Sequence, residues 1–141
     1  MISFLLFRVN ENRFGINGEQ IYRIERFDPA AVEYGQESPL FYRVGDYVVS
    51  LDWLTTGQVV PSSLDTFSRL ILYRSASKIR GIPVTELERV INDPELKSLA
   101  LVPSFFRMGR TLSWVRLFFM HDKAIIPVVN PERLQDYSSK T

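Results

Sequence analysis

The chain contains no cysteine and only one histidine, His121, among 141 residues. The first absence excludes disulfide frameworks, thiolate zinc sites, iron–sulfur clusters and cysteine nucleophiles. The second excludes any site that needs two imidazoles. Charge of one sign is also missing: 17 Lys and Arg stand against 16 Asp and Glu, a net charge of +1. That is too small for the broad positive field of a typical nucleic-acid binder, so partners are expected to be held mainly by shape and apolar contact. Long hydrophobic runs are absent as well. The stretch from Ser98 to Phe106 falls well short of the ~20 residues that span a bilayer as a helix. The opening MISFLLFR has neither a basic head nor a small-residue cleavage site, so it reads as a first strand and not as a signal peptide. A cytoplasmic protein without membrane insertion is expected.

What is present is globular composition, 45% hydrophobic and 23% charged, with strand signals at short spacing. Phe4 to Val9 and Arg13 to Ile16 flank the turn-prone Asn10, Glu11 and Asn12, which predicts a hairpin. Phe41 to Val44 and Tyr47 to Leu51 flank Gly45 and Asp46. Leu70 to Arg74 and Lys78 to Val84 flank Ser75, Ala76 and Ser77. Val115 to Met120 and Ala124 to Val129 flank His121, Asp122 and Lys123. Four hairpins predict an all-β protein. Helical signals are short: Asp93 followed by Pro94, Glu95 and Leu96, and Asn130 followed by Pro131 and Glu132, each read as a cap with proline at the first helical position. The second turn carries Leu134. The polar, turn-rich run from Thr55 to Thr66 is the expected link between two halves.

A shift of 66 positions aligns those halves. Arg8 meets Arg74, Gly15 meets Gly81, Ile16 meets Ile82, Ile21 meets Leu87, Arg23 meets Arg89 and Ile24 meets Val90. This is an internal repeat, faint in identity and consistent in pattern. It predicts two similar small barrels, since closing each strand set removes its free edges. Gly15 and Gly81 sit inside strand-like runs, where glycine marks a bulge or a close backbone approach.

No catalytic constellation emerges. His121 beside Asp122 is placed at a solvated hairpin tip with no serine nucleophile in view. Glu86 and Glu88, two apart on one strand face, read as a solvated surface. No phosphate-cradling glycine loop is present. The segment 104–119, with Arg107, Arg110 and Arg116 among Phe105, Phe106 and Trp114, has the composition of a single-strand nucleic-acid platform. Core filling is the competing account of its aromatic residues. Salt separates a nucleic-acid binder from a protein-docking one, because phosphate binding weakens steeply with ionic strength and apolar docking barely changes.

The stretch from Phe7 to Asp28 resembles the opening of the CheW family of chemotaxis coupling proteins: a strand, a short turn, then Phe14, Gly15, Ile16, Asn17, Ile21 and Ile24. Asn17 stands where the family usually has Asp. Leu70 to Ile91 is similar to the family's second barrel, with Thr85 in place of a usual Asp, and Ile125 to Leu134 to its last strand and terminal turn. The resemblance implies two intertwined, SH3-like, five-stranded barrels, the first over about 14–66 and the second over about 67–128, with terminal segments open to exchange between them. It further implies a non-enzymatic, cofactor-free adaptor whose partners are the regulatory domain of a CheA-type histidine kinase and the cytoplasmic tip of a methyl-accepting receptor. A divergent member could instead serve another pathway, such as pilus or surface motility. A small nucleic-acid-binding barrel is the reading from another class.

The resemblance also carries candidate binding residues. Ile21 and Arg23 match a family segment beside the docking groove, although core packing is the competing account of Ile21. Arg23 stands where the family often has an acid, which reverses the charge. Counting back from Asp52, the family's Asn-Leu-Arg-Gly falls on Tyr42, Arg43, Val44 and Gly45. The glycine keeps its place and the arginine is displaced by one. Arg43, Val44 and Gly45 complete the candidate set.

Overall fold

In the computed structural model of the protein, residues 3–35, 38–54, 63–94, 98–101 and 115–130 are described. Of the sequence expectations, the link residues 55–62, Glu95 and Leu96, the basic and aromatic run 104–114, and the turn from Pro131 lie outside them.

Alternating and continuous runs of β-formers give twelve strands among the described residues: β1 (Ser3–Val9), β2 (Asn12–Asn17), β3 (Ile21–Arg26), β4 (Val32–Gly35), β5 (Ser38–Val44), β6 (Tyr47–Leu51), β7 (Arg69–Ser75), β8 (Lys78–Val84), β9 (Glu86–Asn92), β10 (Leu99–Leu101), β11 (Val115–His121) and β12 (Ala124–Val129). All four expected hairpins form, each through a two-residue turn. The first turn residue has positive φ in every case, at Asn10, Gly45, Ala76 and Asp122. That sense of turn matches the twist of the paired strands. Two short 3-10 turns interrupt the strands. Asn17 caps the one at Gly18–Gln20 by accepting from Glu19 N at 3.0 Å, and Asp28 caps the one at Pro29–Ala31 by accepting from Ala30 N at 3.0 Å. Asn17 therefore supplies the oxygen that an aspartate would.

The strands form two six-stranded sheets, in the orders β10-β11-β12-β2-β1-β9 and β3-β7-β8-β6-β5-β4. The orders are equivalent under the repeat: β1, β2 and β9 occupy in one sheet the places of β7, β8 and β3 in the other. β1 and β7 begin 66 positions apart, as do β2 and β8, while β5 and β11 begin 77 apart. The halves of the chain are not the sheets. Each half lends its first hairpin to the other, so one sheet is drawn from 21–84 and the second from 3–17 and 86–129. Each has one strand more than five, the short edge strands β4 and β10 being too brief to leave a periodic signal.

This exchange buries β1 on both faces. Leu5, Phe7 and Val9 enter a large core shared with Ile71, Tyr73, Ile82 and Leu51 of the other sheet, whereas Phe4 and Leu6 enter a second core with Phe119, Ile126 and Val128. The period-two alternation of the strand assigns one set to each core. Each full burial of such a side chain contributes about 1.5–3 kcal/mol.

Neither Gly15 nor Gly81 is at a bulge. Gly15 pairs with Leu6 and Gly81 with Leu72 in unbroken register, and the register shifts fall elsewhere, at Leu6/Phe7 and Ile21/Arg23 among others. Both glycines serve close approach. They lie where the lent hairpin meets the last strand of the other half in parallel, Gly15 opposite Val128 and Gly81 opposite Leu51. A Cβ on Gly15 would sit 3.3 Å from Leu6 Cδ2, and one on Gly81 2.9 Å from Leu70 Cδ1.

Candidate protein-interaction surface

The candidate residues fall in two places on the 21–84 sheet. Ile21 and Arg23 are on the edge strand β3, and Arg43, Val44 and Gly45 are on β5 and its turn, next to the opposite edge. Ile21 is half-buried and packs on the large core, so it is chiefly a structural side chain. Arg23 is exposed and pairs with Glu25 at 2.5 Å. Arg43 is exposed and pairs with Glu33 of β4 at 2.6 Å. Val44 is only 5% exposed and belongs to the core, which removes it as a contact. Gly45, at φ +58°, forms the exposed turn, with space around its Cα.

Two groups of side chains fix this sheet. Tyr42 of β5 donates to Arg26 O at 3.2 Å, accepts from Asp28 N at 2.9 Å and stacks on Phe27 with ring centroids 5.4 Å apart, which ties the end of β3 to β5. Burial raises the Tyr42 phenol above its ordinary pKa. At the β6–β8 junction, Asp52 accepts from Arg80 Nε at 2.9 Å and from an Arg80 terminal nitrogen at 2.7 Å, and the Tyr73 hydroxyl donates to the same carboxylate. Only 1% of the Asp52 side chain and 12% of the Arg80 side chain are exposed. Burial works against the Arg80 charge, but the hydrogen bonds and charge of Asp52 outweigh it and raise the guanidinium pKa. Burial first, then the Asp52 charge, pushes the Tyr73 phenol up. The geometry locks strands together and leaves no group free to react.

The single histidine is not at a solvated tip. His121 ends β11, one residue before the turn, with 16% of its side chain exposed. Its ring stacks on Phe119 at 5.6 Å and lies 3.2 Å from an Arg89 nitrogen and 3.2 Å from Asp122. Glu86 and Glu88 are not merely solvated: they pair with Arg8 at 2.8 Å and Arg13 at 2.9 Å. Among the described residues no cluster of three metal-ligating side chains occurs, and no helix is long and apolar enough to cross a membrane.

The exposed apolar side chains are those suited to docking. On the hairpin flanks, Val48 lies opposite Arg43 in one sheet and Ile125 opposite Met120 in the other. Beside each hairpin the parallel pairing covers only two residue pairs. The strands diverge ahead of it and leave equivalent grooves of about 460 Å³, lined by Tyr47–Ser50 and Lys78–Arg80, and about 360 Å³, lined by Glu11–Phe14 and Ala124–Pro127. On the edge strands Tyr22, Ile24 and Val90 are exposed. Periodicity does not single out these residues, because an exposed strand aromatic and a core one look alike in one sequence. Tyr22 could have been found from the repeat, which sets it against Glu88 and so reveals a lost acid.

No family model and no curated protein matches the sequence. Among solved structures the chain is similar to the scaffolding protein TtCheW from Thermoanaerobacter tengcongensis, with a TM-score of 0.75 and 14% identity, over 94% of this chain and 86% of that one. The duplicated, hairpin-exchanged pair of β-sheets described above is therefore a CheW-like fold.

Proposed function

We propose that this protein is a non-enzymatic scaffold that couples chemoreceptors to a CheA-type histidine kinase in bacterial chemosensory signalling. The observation that carries this reading is the likeness to a scaffolding protein over 94% of the chain, joined to exposed apolar side chains at strand edges and hairpin flanks. Such patches with polar rims are what a docking protein requires, and it needs no reactive group. One sheet takes the regulatory domain of the kinase, the hairpin bearing Arg43 and Gly45 takes the tip of a receptor's helical hairpin, and Arg23, on the opposite edge of the same sheet, belongs to a separate protein-binding face, in the cytoplasm and without a cofactor. Apolar burial drives the docking at ~25 cal/mol per Å² removed from water, less the cost of ordering.

A second reading has its own observation. Arg43 is displaced by one position and already engaged with Glu33, and Arg23 reverses the expected charge, which favours a receptor of a different pathway such as pilus or surface motility. Calorimetric titration of the chain against a CheA-type regulatory domain and a receptor tip, separately, tests both. Binding to the kinase domain and the chemoreceptor tip is expected. Kinase binding alone favours the second reading, and binding to neither overturns the scaffold.

A further inference from the structure

The repeat offers an internal control for charge. In one sheet β9, β1 and β2 carry Arg89, Arg8 and Arg13 against Glu86 and Glu88. Arg8 and Arg13 are cross-strand partners, and both acids answer them. In the other sheet the equivalent strands β3, β7 and β8 carry six cations against Glu25 alone, in a molecule whose net charge is only +1.

Arg74 is the counterpart of Arg8, but the positions equivalent to Glu86 and Glu88 hold Gln20 and Tyr22. No carboxylate among the described residues lies within ion-pair distance of Arg74. Its guanidinium sits instead 5.1 Å from the centre of the Tyr22 ring, with Arg23 6.0 Å from the same ring. Further along, Arg26 and Arg69 face each other across β3 and β7. Like charges set opposite each other destabilise a strand pair. Glu25 is taken by Arg23 and Asp52 by Arg80, so no carboxylate among the described residues answers the remaining positive charge on this edge.

We propose that the β3 edge receives an acidic, extended segment of a partner protein, with Arg74, held against Tyr22, taking the carboxylate that Glu86 supplies to Arg8 in the other sheet. Tyr22 and Ile24, both exposed, provide the apolar contact, and the backbone of β3, whose outer side meets no further strand among the described residues, the hydrogen bonds. A guanidinium already stacked on a ring loses little freedom when it grips a carboxylate in bidentate fashion. The inference rests on the reading of this edge as a protein-binding face.

The test is fluorescence anisotropy of the full chain with a labelled peptide of alternating Val and Glu, at low salt. Saturable binding is expected, weakened about ten-fold or more by Arg74→Glu and by Arg74→Gln. Arg8→Gln, the change at the equivalent place, should leave it as it was. Absence of binding, an affinity untouched by both Arg74 variants, equal binding of a Val and Lys peptide, or tighter binding of oligothymidylate would each overturn the proposal. If the kinase domain and receptor tip bind and the acidic peptide does not, this inference alone falls. If neither binds and the peptide does, the scaffold falls and the acidic site stands.

Discussion

Asp52 shows how much can hang on one carboxylate. It is buried with Arg80, accepts two of that side chain's hydrogen bonds and one from Tyr73, and its own N–H donates to Gly81 O at 2.8 Å. Asp52→Ala strands the Arg80 cation in a site with little water. A loss of about 3–5 kcal/mol in urea unfolding is expected, with Asp52→Asn intermediate because it keeps an acceptor. Tyr73 gives a pH signature. Its folded-state pKa is raised above the ordinary value near ~10, so above that pH the unfolded chain binds fewer protons than the folded one and stability falls. The Tyr73 contribution is fully present below about pH 10 and is lost as pH rises beyond it, and Tyr42 adds in the same direction. Urea midpoints should decline from pH 9 to 11, and Tyr73→Phe should flatten that decline while lowering stability at neutral pH by about 1.5–3 kcal/mol for the lost hydrogen bond to a charged group. An unchanged slope in the variant would place the alkaline sensitivity elsewhere.

Strand pairs carry the next set of consequences, and the two glycines are their sharpest test. Gly81 lies closer to its neighbour than Gly15 does, 2.9 Å against 3.3 Å from the added Cβ to a leucine methyl. Gly81→Ala forces Leu70 to move within a fully buried layer and should cost about 1–3 kcal/mol. Gly15→Ala should cost less, since a few tenths of an ångström suffice. Thermal unfolding of the two variants checks the order, and equal losses would refute it. These positions also show what sequence patterns convey at this level. The four hairpins were legible because turn residues interrupt runs of β-formers, and the repeat located both glycines. The bulge reading failed because a glycine in a strand has the same appearance whether the register slips or another strand merely comes close. Likewise Val44 and Ile21 could not be sorted into core and surface, because that depends on which face the other sheet covers. His121 was misplaced by one residue, the distance between a turn and a strand end.

Taken as one object, the chain depends on reciprocal exchange. The 3–17 hairpin completes the sheet of 86–129, and the 69–84 hairpin completes the sheet of 21–51. Cutting at residue 66 leaves each fragment with a hairpin that has lost its sheet and a sheet that has lost its hairpin. Fragments 1–66 and 67–141 are expected to lack dispersed amide spectra alone and to regain them on mixing. Independent folding of either would contradict the shared core in which Leu5 and Phe7 meet Ile71 and Tyr73. The same duplication pairs Arg8 and Arg13 with acids on one sheet and leaves Arg74, the counterpart of Arg8 at the β3–β7 edge, without a carboxylate partner among the described residues, so a near-neutral molecule presents one basic edge.

The chain's residues alone set its class: no cysteine and one histidine leave little room for metal or thiol chemistry, hairpin signals give an all-β protein, and the 66-residue offset announces two copies of one plan. Those properties are local or periodic, so they survive without coordinates. Which sheet each hairpin joins, which arginines find an acid, and why both glycines must lack a side chain emerged only once the strands were assembled. Pairing between distant segments is decided by burial and register, and neither is written in a single stretch of sequence.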